Sequence, residues 1–327
     1  MFQTPKVTLI SHTISPLETV YSLWQASKNE HPLMSVVDVQ NNVSPEEVEK
    51  LFKAVIAQKI PIGEHIDFVF MIENVSVSWR EQAVRHRIGT EISPERLGID
   101  LLPDLAKSSW WSQSMRIQNM GKFATEEKYR MPQTIANHGN PILKELFSST
   151  MLKIEDAYNE LVEQGIPMED ARELIPLGAQ HRISWKLNIG ALQHIVGKRG
   201  CWILQLGIWG PVIKGMIDEL ATKVHPVFRD MVKPPCINDE DKFGGCVYHE
   251  ECNRRLDGRD LLPPCPLHYF QHIQQRDPMS WEDFKDTILI DALPFRKEMA
   301  SRALEYQDFW GRNPCTGERE LARDPEK

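Results

Sequence analysis

The stretch that decides the fold is EHIDFVFMIENVSVSWREQAVRHR, residues 64–87. Its first half places apolar side chains at every second position: Ile66, Phe68, Phe70 and Ile72. This period of two predicts a β-strand with one buried face. The polar second half, Trp79–Arg87, predicts a helix that ends on the triplet Arg85-His86-Arg87. We therefore expect a buried strand that is followed closely by a dense group of cationic donors.

Patterns on both sides of this stretch predict an α/β (α+β) fold. Val7–Ser11 predicts a short strand, and the Ser-Pro pairs at Ser15 and Ser44 predict two helices with serine as the N-cap. Helical periodicity predicts four further helices: Ile142–Gln164 closed by Gly165, Pro167–Glu173, Ser184–Lys198 and Leu204–Val224. Residues 88–140 lack this periodicity and predict mostly loop.

Composition and charge exclude several classes of protein. The chain has 327 residues and a formal net charge of −8, which argues against nonspecific binding to nucleic acid because that requires a basic footprint. Its most apolar stretch, Cys201–Ile213, is shorter than the about 20 residues of a membrane helix. Met1–Lys6 lacks the pattern of a secretory signal. We expect a cytoplasmic protein with reduced cysteines and no membrane span.

The amino-acid composition of the sequence changes near residue 225. This change predicts a main domain over residues 1–225 and a cysteine-rich C-terminal extension over residues 226–327. The extension holds four of the six cysteines: Cys236, Cys246, Cys252 and Cys265. Their spacing lacks the close pairs of zinc knuckles, whereas iron–sulfur ligation accepts wider spacing. The spacing favours a [4Fe–4S] cluster and leaves a zinc site and unligated cysteines as alternatives.

The triplet Arg85-His86-Arg87 is a dense cluster of hydrogen-bond donors. Two guanidiniums beside an imidazole suit a phosphate or an electron-rich ring edge, because arginine presents a planar fork of N–H donors. The triplet alone also fits a solvated basic helix end. Further motifs follow it in order: Ala171-Arg172-Glu173-Leu174-Ile175-Pro176, Trp185-Lys186-Leu187-Asn188 and Arg199.

The order and spacing of these motifs resemble the flavin-dependent thymidylate synthase family over roughly residues 45–225. The pattern of that family is an E-H-I strand, R-Q-x-x-R-H-R, S-x-R, A-R-x-x-L-P, W-x-x-N and a final arginine. One motif is displaced in this chain. Ser109, Ser114 and Arg116 match the serine–arginine segment, but 26 residues (88–113) separate Arg87 from Ser114, which predicts an insertion at about 88–113. A second departure is Gly190, where the family often has arginine.

The resemblance implies a role for each matched residue. Those implied in nucleotide binding are Gln82, Ser114, Arg116, Arg172 and Arg199. Those implied in flavin binding are Glu64, Arg85, His86, Arg87 and Asn188. Arg199, Ser114 and Arg85 are the expected catalytic residues. Taken alone, Asn188 also fits a helix cap, and Arg172 also fits a surface ion pair with Glu169 or Glu173.

The sequence spacing within two pairs of candidate residues is consistent with an extended binding site. Asn188 and Arg199 are eleven residues apart, about three turns at 3.6 residues each, so a single helix would place both on one face. Ser114 and Arg116 are two residues apart, so an extended segment would place them on the same side.

The resemblance implies C5 methylation of a pyrimidine nucleotide, most simply dUMP to dTMP. It further implies FAD, the co-substrates NADPH and methylenetetrahydrofolate, and a homotetramer with sites between subunits. One alternative keeps the flavin but hydroxymethylates dUMP, or modifies UMP or another pyrimidine nucleotide in phage DNA modification or nucleoside-antibiotic biosynthesis. The other alternative is a nucleic-acid-binding module built on the four-cysteine extension, against which the net charge argues.

Overall fold

A four-stranded antiparallel sheet organises the protein. The computed structural model describes residues 4–28, 33–58, 60–86, 108–112, 119–136, 139–200 and 208–231. The strands are β1 (Lys6–His12), β2 (Asp67–Ser76), β3 (Ser108–Ser112) and β4 (Gln180–Asn188). They lie side by side in the order β1-β2-β4-β3, and each neighbouring pair is antiparallel. The mixture of helices with an antiparallel sheet confirms the expected α+β class.

Helices precede and follow the central strands. The described helices are α1 (Pro16–Ala26), α2 (Val36–Asn42), α3 (Pro45–Ala57), α4 (Val77–Ala83), α5 (Gln133–Ala136), α6 (Pro141–Glu163), α7 (Met168–Ala171), α8 (Ile189–Arg199), α9 (Trp209–Lys223) and α10 (Val227–Met231). Two 3₁₀ turns, Pro61–His65 and Arg172–Leu174, lead into β2 and towards β4.

The chain divides into two compact units. One comprises residues 1–130, 151–198 and 211–232 and contains the sheet. The other comprises residues 131–150, 199–210 and 233–327, of which 131–136, 139–150, 199–200 and 208–210 are described. The proposed domain boundary between residues 225 and 226 stays a prediction.

The core of the sheet-containing unit lies against one face of β2 and β4. Phe68 and Phe70 of β2 are fully buried, as is Trp185 of β4. The ring of Phe228 in α10 packs edge-on against Phe68, with centroids 5.4 Å apart. The opposite face of the sheet is more exposed and carries ion pairs, such as Lys186 with Asp67 at 2.9 Å.

A stack of tryptophans fixes β3 to the sheet. Trp110 of β3 stacks on Trp185 with ring centroids 3.9 Å apart, and Trp79 of α4 packs edge-on against Trp185 at 6.4 Å. The backbone of Trp110 also lies opposite Trp185 in the strand register. The last residues of the predicted insertion over 88–113 are therefore part of the sheet.

Several sequence predictions are confirmed. β1 forms at the predicted short strand and β2 at the alternating pattern, and α6 ends before Gly165, whose φ of 85° suits glycine. Ser44 is the N-cap of α3, since its hydroxyl accepts a hydrogen bond from the Glu47 amide at 3.2 Å. Proline at the first helical position accompanies both α1 and α3.

Three predictions are wrong. The predicted helix over Trp79–Arg87 already ends at Ala83, before the triplet. The predicted helix over Ser184–Lys198 is a strand up to Asn188 and a helix only from Ile189. Ser15 does precede α1, but its backbone is left-handed with φ 46°, and its side chain makes no cap hydrogen bond to the helix. The hydroxyl of Ser15 instead accepts a hydrogen bond from the side-chain amide of Gln40 in α2 at 3.0 Å.

Among the described residues, no helix is both long enough and apolar enough to cross a membrane.

Candidate active site

The end of β4 and the start of α8 form the centre of the candidate site. Asn188 is the last residue of β4, lies opposite Asp67 of β2 and is 1% exposed. Its side-chain oxygen accepts a hydrogen bond from the Ala191 amide at 2.8 Å, so it caps α8. The helix-cap role considered for Asn188 is therefore confirmed, and the amide Nδ2 remains as the atom that can donate to a ligand.

The turn that carries Glu64 lies against the same helix start. The amide of Ile189 donates to the carbonyl of Ile66 at 3.0 Å. A Cβ added at Gly63 would lie 2.9 Å from Cγ2 of Ile189, which shows how closely the turn approaches α8. Glu64, the next residue, is partly exposed. The structure thus brings the Glu64 turn and Asn188 to one end of the sheet.

The basic triplet begins directly after α4. That helix starts at the end of β2, where the buried Ser76 hydroxyl accepts from the Trp79 amide at 3.1 Å. Gln82 and Arg85 are exposed, whereas His86 is half-buried. The exposed side chains place an amide and a guanidinium within reach of a ligand. Arg87 lies outside the described residues.

A histidine that sequence reasoning missed lies beside the triplet. His194 of α8 packs edge-on against His86, with ring centroids 6.1 Å apart. The two rings join the end of α4 to the middle of α8, six residues beyond Asn188. No motif contained His194, and only its ring contact with His86 reveals it.

One face of α8 is buried. It begins at Asn188 and continues with Leu192 and Ile195, which are both buried. The helix Ile189–Arg199 follows Asn188 directly, so the single helix considered for the spacing of Asn188 and Arg199 is confirmed. His194 lies off this face at 100° per residue, which is why it can meet the triplet.

Arg172 is held by an ion pair. Its guanidinium lies 3.1 Å from the Glu169 carboxylate, and its side chain is only 14% exposed. This confirms the contact with Glu169 that the sequence offered as an alternative for Arg172. The segment after it runs beside α4, because the amide of Ser78 donates to the carbonyl of Leu177 at 3.0 Å.

Arg199 ends α8 and belongs to the second unit. It is half-buried, and its Cζ atom lies 5.0 Å from the ring centroid of Trp209. Ser114, Arg116 and the four cysteines of the extension lie outside the described residues. Within the described ranges, no group of three His, Cys, Asp or Glu side chains is arranged to hold a metal ion.

A buried histidine lies in β4, away from the motifs. His181 faces the core opposite Val75 and is 2% exposed. Burial and, to a smaller extent, the nearby Arg80 charge together lower the pKa of His181 to about 4, while Glu81 acts in the opposite direction. His181 is therefore neutral at physiological pH.

Comparison with known proteins identifies the family. The profile of the family described as Thymidylate synthase complementing protein matches residues 8–226. Three similar proteins are each named flavin-dependent thymidylate synthase. That of Pyrococcus furiosus is 27% identical over 79% of this chain and 92% of its own length. That of Geobacter sulfurreducens is 27% identical over 73% and 92%, and that of Nitratidesulfovibrio vulgaris is 30% identical over 60% and 75%. The chain belongs to the flavin-dependent thymidylate synthase family, whose members are enzymes that transfer a one-carbon unit.

Proposed function

We propose that this protein methylates C5 of dUMP to give dTMP, with FAD as cofactor and NADPH and methylenetetrahydrofolate as co-substrates. The observation that carries the proposal is the meeting of three motif segments at α8. The Glu64 turn, His86 and Asn188 come from distant parts of the sequence and all contact or adjoin this helix. Relatives named for the same activity align over 92% of their length.

The donor set fits a flavin nucleotide. FAD presents a planar ring with polar edges, and the exposed Arg85 offers a charged N–H fork where the flavin ring would meet the pyrimidine. The Nδ2 atom of Asn188 and the half-buried ring of His86 offer neutral polar contacts near the start and the middle of α8. We assign Glu64, Arg85, His86, Arg87 and Asn188 to the flavin, and add His194 because it packs on His86.

The reaction needs activation of a weak nucleophile, the C5 atom of the pyrimidine. A cysteine nucleophile is one way to activate such a ring, but neither the Arg85-His86-Arg87 triplet nor the serine–arginine segment from Ser109 to Arg116 contains a cysteine. Arginine donors at the pyrimidine carbonyls stabilise the charge that develops on the ring during reaction. When bound, the flavin supplies the reducing equivalents of the reaction.

We assign the nucleotide to a second set of residues: Gln82, Ser114, Arg116, Arg172 and Arg199. Arg172 keeps its charge in a mostly buried position through Glu169, which holds a cation ready for the nucleotide phosphate. Arg199 and Arg85 donate to the pyrimidine, and the Ser114 hydroxyl orients it. In these roles Arg199, Arg85 and Ser114 form the catalytic group.

A homotetramer with sites between subunits is part of the proposal. The segment around Arg172 exposes four large apolar side chains between 40% and 64%: Ile166, Met168, Leu174 and Leu177. Apolar side chains concentrated on one segment favour a protein–protein contact. A second copy seated there would cover them and lie next to Arg172. Light scattering on a sizing column tests the assembly state.

The direct test is an assay of the purified, flavin-loaded protein with dUMP, UMP and dCMP, with the product mass recorded. The proposal expects a methylated product from dUMP and little from UMP or dCMP. Protein that remains colourless and does not bind added FAD would overturn the flavin assignment. A colourless protein would count against flavin binding, whereas a yellow protein that forms no product would count against the proposed reaction.

A second candidate is hydroxymethylation of dUMP, or C5 modification of UMP or another pyrimidine nucleotide. It is favoured by the 26 residues between Arg87 and Ser114 and by Gly190, since both changes affect segments assigned to ligands. The same assay decides, because a hydroxymethylated product is one oxygen heavier than a methylated one. The predicted [4Fe–4S] cluster of the extension, with zinc as its alternative, also stays a proposal.

A further inference from the structure

Thr13 ties the end of β1 to the turn that carries Glu64. The amide of Thr13 donates to the carbonyl of Asp67 at 3.0 Å, which continues the pairing of β1 with β2 by one residue beyond His12. The hydroxyl of Thr13 accepts from the amide of Asp67 at 2.9 Å and donates to the carbonyl of His65 at 3.2 Å. One residue is therefore hydrogen-bonded to the stretch that directly follows Glu64.

The side chain of Thr13 takes the place of a backbone acceptor. In a continuing antiparallel ladder, the amide of Asp67 would donate to the backbone carbonyl of Thr13. Here that carbonyl accepts from Nδ1 of His12 at 2.8 Å, and the chain leaves the strand towards Ser15, whose φ of 46° is left-handed. A hydroxyl can accept from an amide and donate to a carbonyl at the same time, which an aliphatic side chain cannot do.

We propose that Thr13 is a positioning residue that orients the Glu64 turn for the flavin. This inference rests on the proposed function, because it uses the assignment of Glu64 to the flavin. Thr13 belongs to none of the motifs that carry the family resemblance. It acts through the turn and does not itself touch the flavin.

The Glu64 turn is held from two sides. On one side, the amide of Ile189 at the start of α8 donates to the carbonyl of the buried Ile66 at 3.0 Å. On the other side, Thr13 binds the residues directly before and after Ile66. Together these hydrogen bonds restrain the three consecutive residues that follow Glu64.

A restrained turn lowers the entropic cost of binding a ligand. A backbone segment that is free in the unliganded protein loses conformational entropy when a ligand orders it. The hydrogen bonds of Thr13 order the turn before the flavin arrives, so less of the binding energy is lost to ordering. Removing the hydroxyl should therefore weaken flavin binding, although every side chain assigned to the flavin is still present.

The test measures FAD binding to the full-length protein after its flavin has been removed. Thr13→Val removes the hydroxyl at nearly constant volume, and Thr13→Ser keeps the hydroxyl. Thr19→Val is the matched control, because the hydroxyl of Thr19 also donates to a backbone carbonyl, that of Ile14 at 3.3 Å, but lies in α1. Dissociation constants for FAD are obtained from flavin fluorescence. Amide hydrogen exchange and the unfolding free energy are measured on the flavin-free protein.

We expect Thr13→Val to weaken FAD binding about 3- to 10-fold, the range that corresponds to the net contribution of one hydrogen bond, and to speed hydrogen exchange at the amide of Asp67. Thr13→Ser should recover most of the affinity, and Thr19→Val should bind FAD as the wild type does. In a Glu64→Ala background, Thr13→Val should cause no further loss of FAD affinity, because the hydroxyl acts through Glu64.

Three outcomes would overturn the role of Thr13 while leaving the proposed function in place. The first is wild-type FAD affinity in Thr13→Val, even with a lower unfolding free energy, since that result shows a role in stability alone. The second is an equal loss of affinity in Thr13→Val and Thr13→Ser, and the third is an equal loss on Thr13→Val with and without the Glu64 side chain. If Thr13→Val does not fold, Thr13→Ala, which also lacks the hydroxyl, replaces it in each comparison. Wild-type protein that binds no FAD would instead overturn the proposed function itself.

Discussion

The buried histidine of β4 predicts a specific dependence of stability on pH. His181 has a pKa of about 4 in the folded protein, against an ordinary value of about 6.5. The unfolded chain therefore binds a proton between these two values and the folded protein does not. Stability rises with pH through this window, is independent of this group above pH 6.5, and falls as the pH drops towards 4.

The size of the effect follows from the shift. One pKa unit corresponds to about 1.4 kcal/mol, so lowering the pH from 7.5 to 5 should remove about 2 kcal/mol of unfolding free energy through His181 alone. Neither ring nitrogen of His181 has a hydrogen-bond partner among the described residues. An apolar replacement of similar size therefore removes a desolvation cost as well as the titration.

The assay is urea unfolding of the wild type and His181→Leu at pH 5, 6 and 7.5. We expect the variant to be at least as stable at pH 7.5 and to lose about 2 kcal/mol less than the wild type on going to pH 5. His12→Gln is the control for replacing a histidine outside the core, because His12 is exposed at the end of β1. Equal pH dependence in the wild type and His181→Leu would refute the reasoning.

Three further predictions concern the site, its scaffold and the extension. Arg199→Ala should reduce kcat about 100- to 1000-fold with flavin still bound, as loss of a donor to a developing negative charge does; activity within tenfold of wild type would remove Arg199 from the site. Gly63→Ala should cost about 1–3 kcal/mol of unfolding free energy, because its Cβ would lie 2.9 Å from Ile189. Gly139→Ala, which meets nothing within 4 Å, is the control, and equal stabilities would contradict the close packing. Anaerobically purified protein should contain about four irons per chain with acid-labile sulfide, and Cys252→Ser should lower that content; one zinc and no iron would favour structural zinc, and neither metal would leave the cysteines unligated.

The sequence predicted the parts of the fold in which one local pattern acts alone. Alternating apolar residues identified β2, and the Ser-Pro pair at Ser44 identified α3 with Ser44 as its N-cap. The pattern failed at β4, where strand and helix follow each other without a break at Asn188. Ile183, Trp185 and Leu187 alternate as in a strand, but their apolar neighbours in α8 extend the run and resemble one long helix.

The parts of the candidate site that the sequence did not predict depend on contacts between distant segments. Motifs identified His86 and Asn188, but His194 belongs to no motif and enters only through its ring contact with His86. The hydrogen bond between Ser15 and Gln40 of α2 likewise joins distant segments. Neither contact has a signal in local sequence, because each is fixed by tertiary packing.

The measurement that tests the central claim most directly is mass analysis of the product that the flavin-loaded protein forms from dUMP with NADPH and methylenetetrahydrofolate. The account predicts dTMP, and it predicts that the one-carbon unit derives from methylenetetrahydrofolate labelled at the transferred carbon. A yellow, folded protein that leaves dUMP unchanged would contradict it. So would a protein that leaves dUMP unlabelled and labels UMP or dCMP when these are offered as substrates.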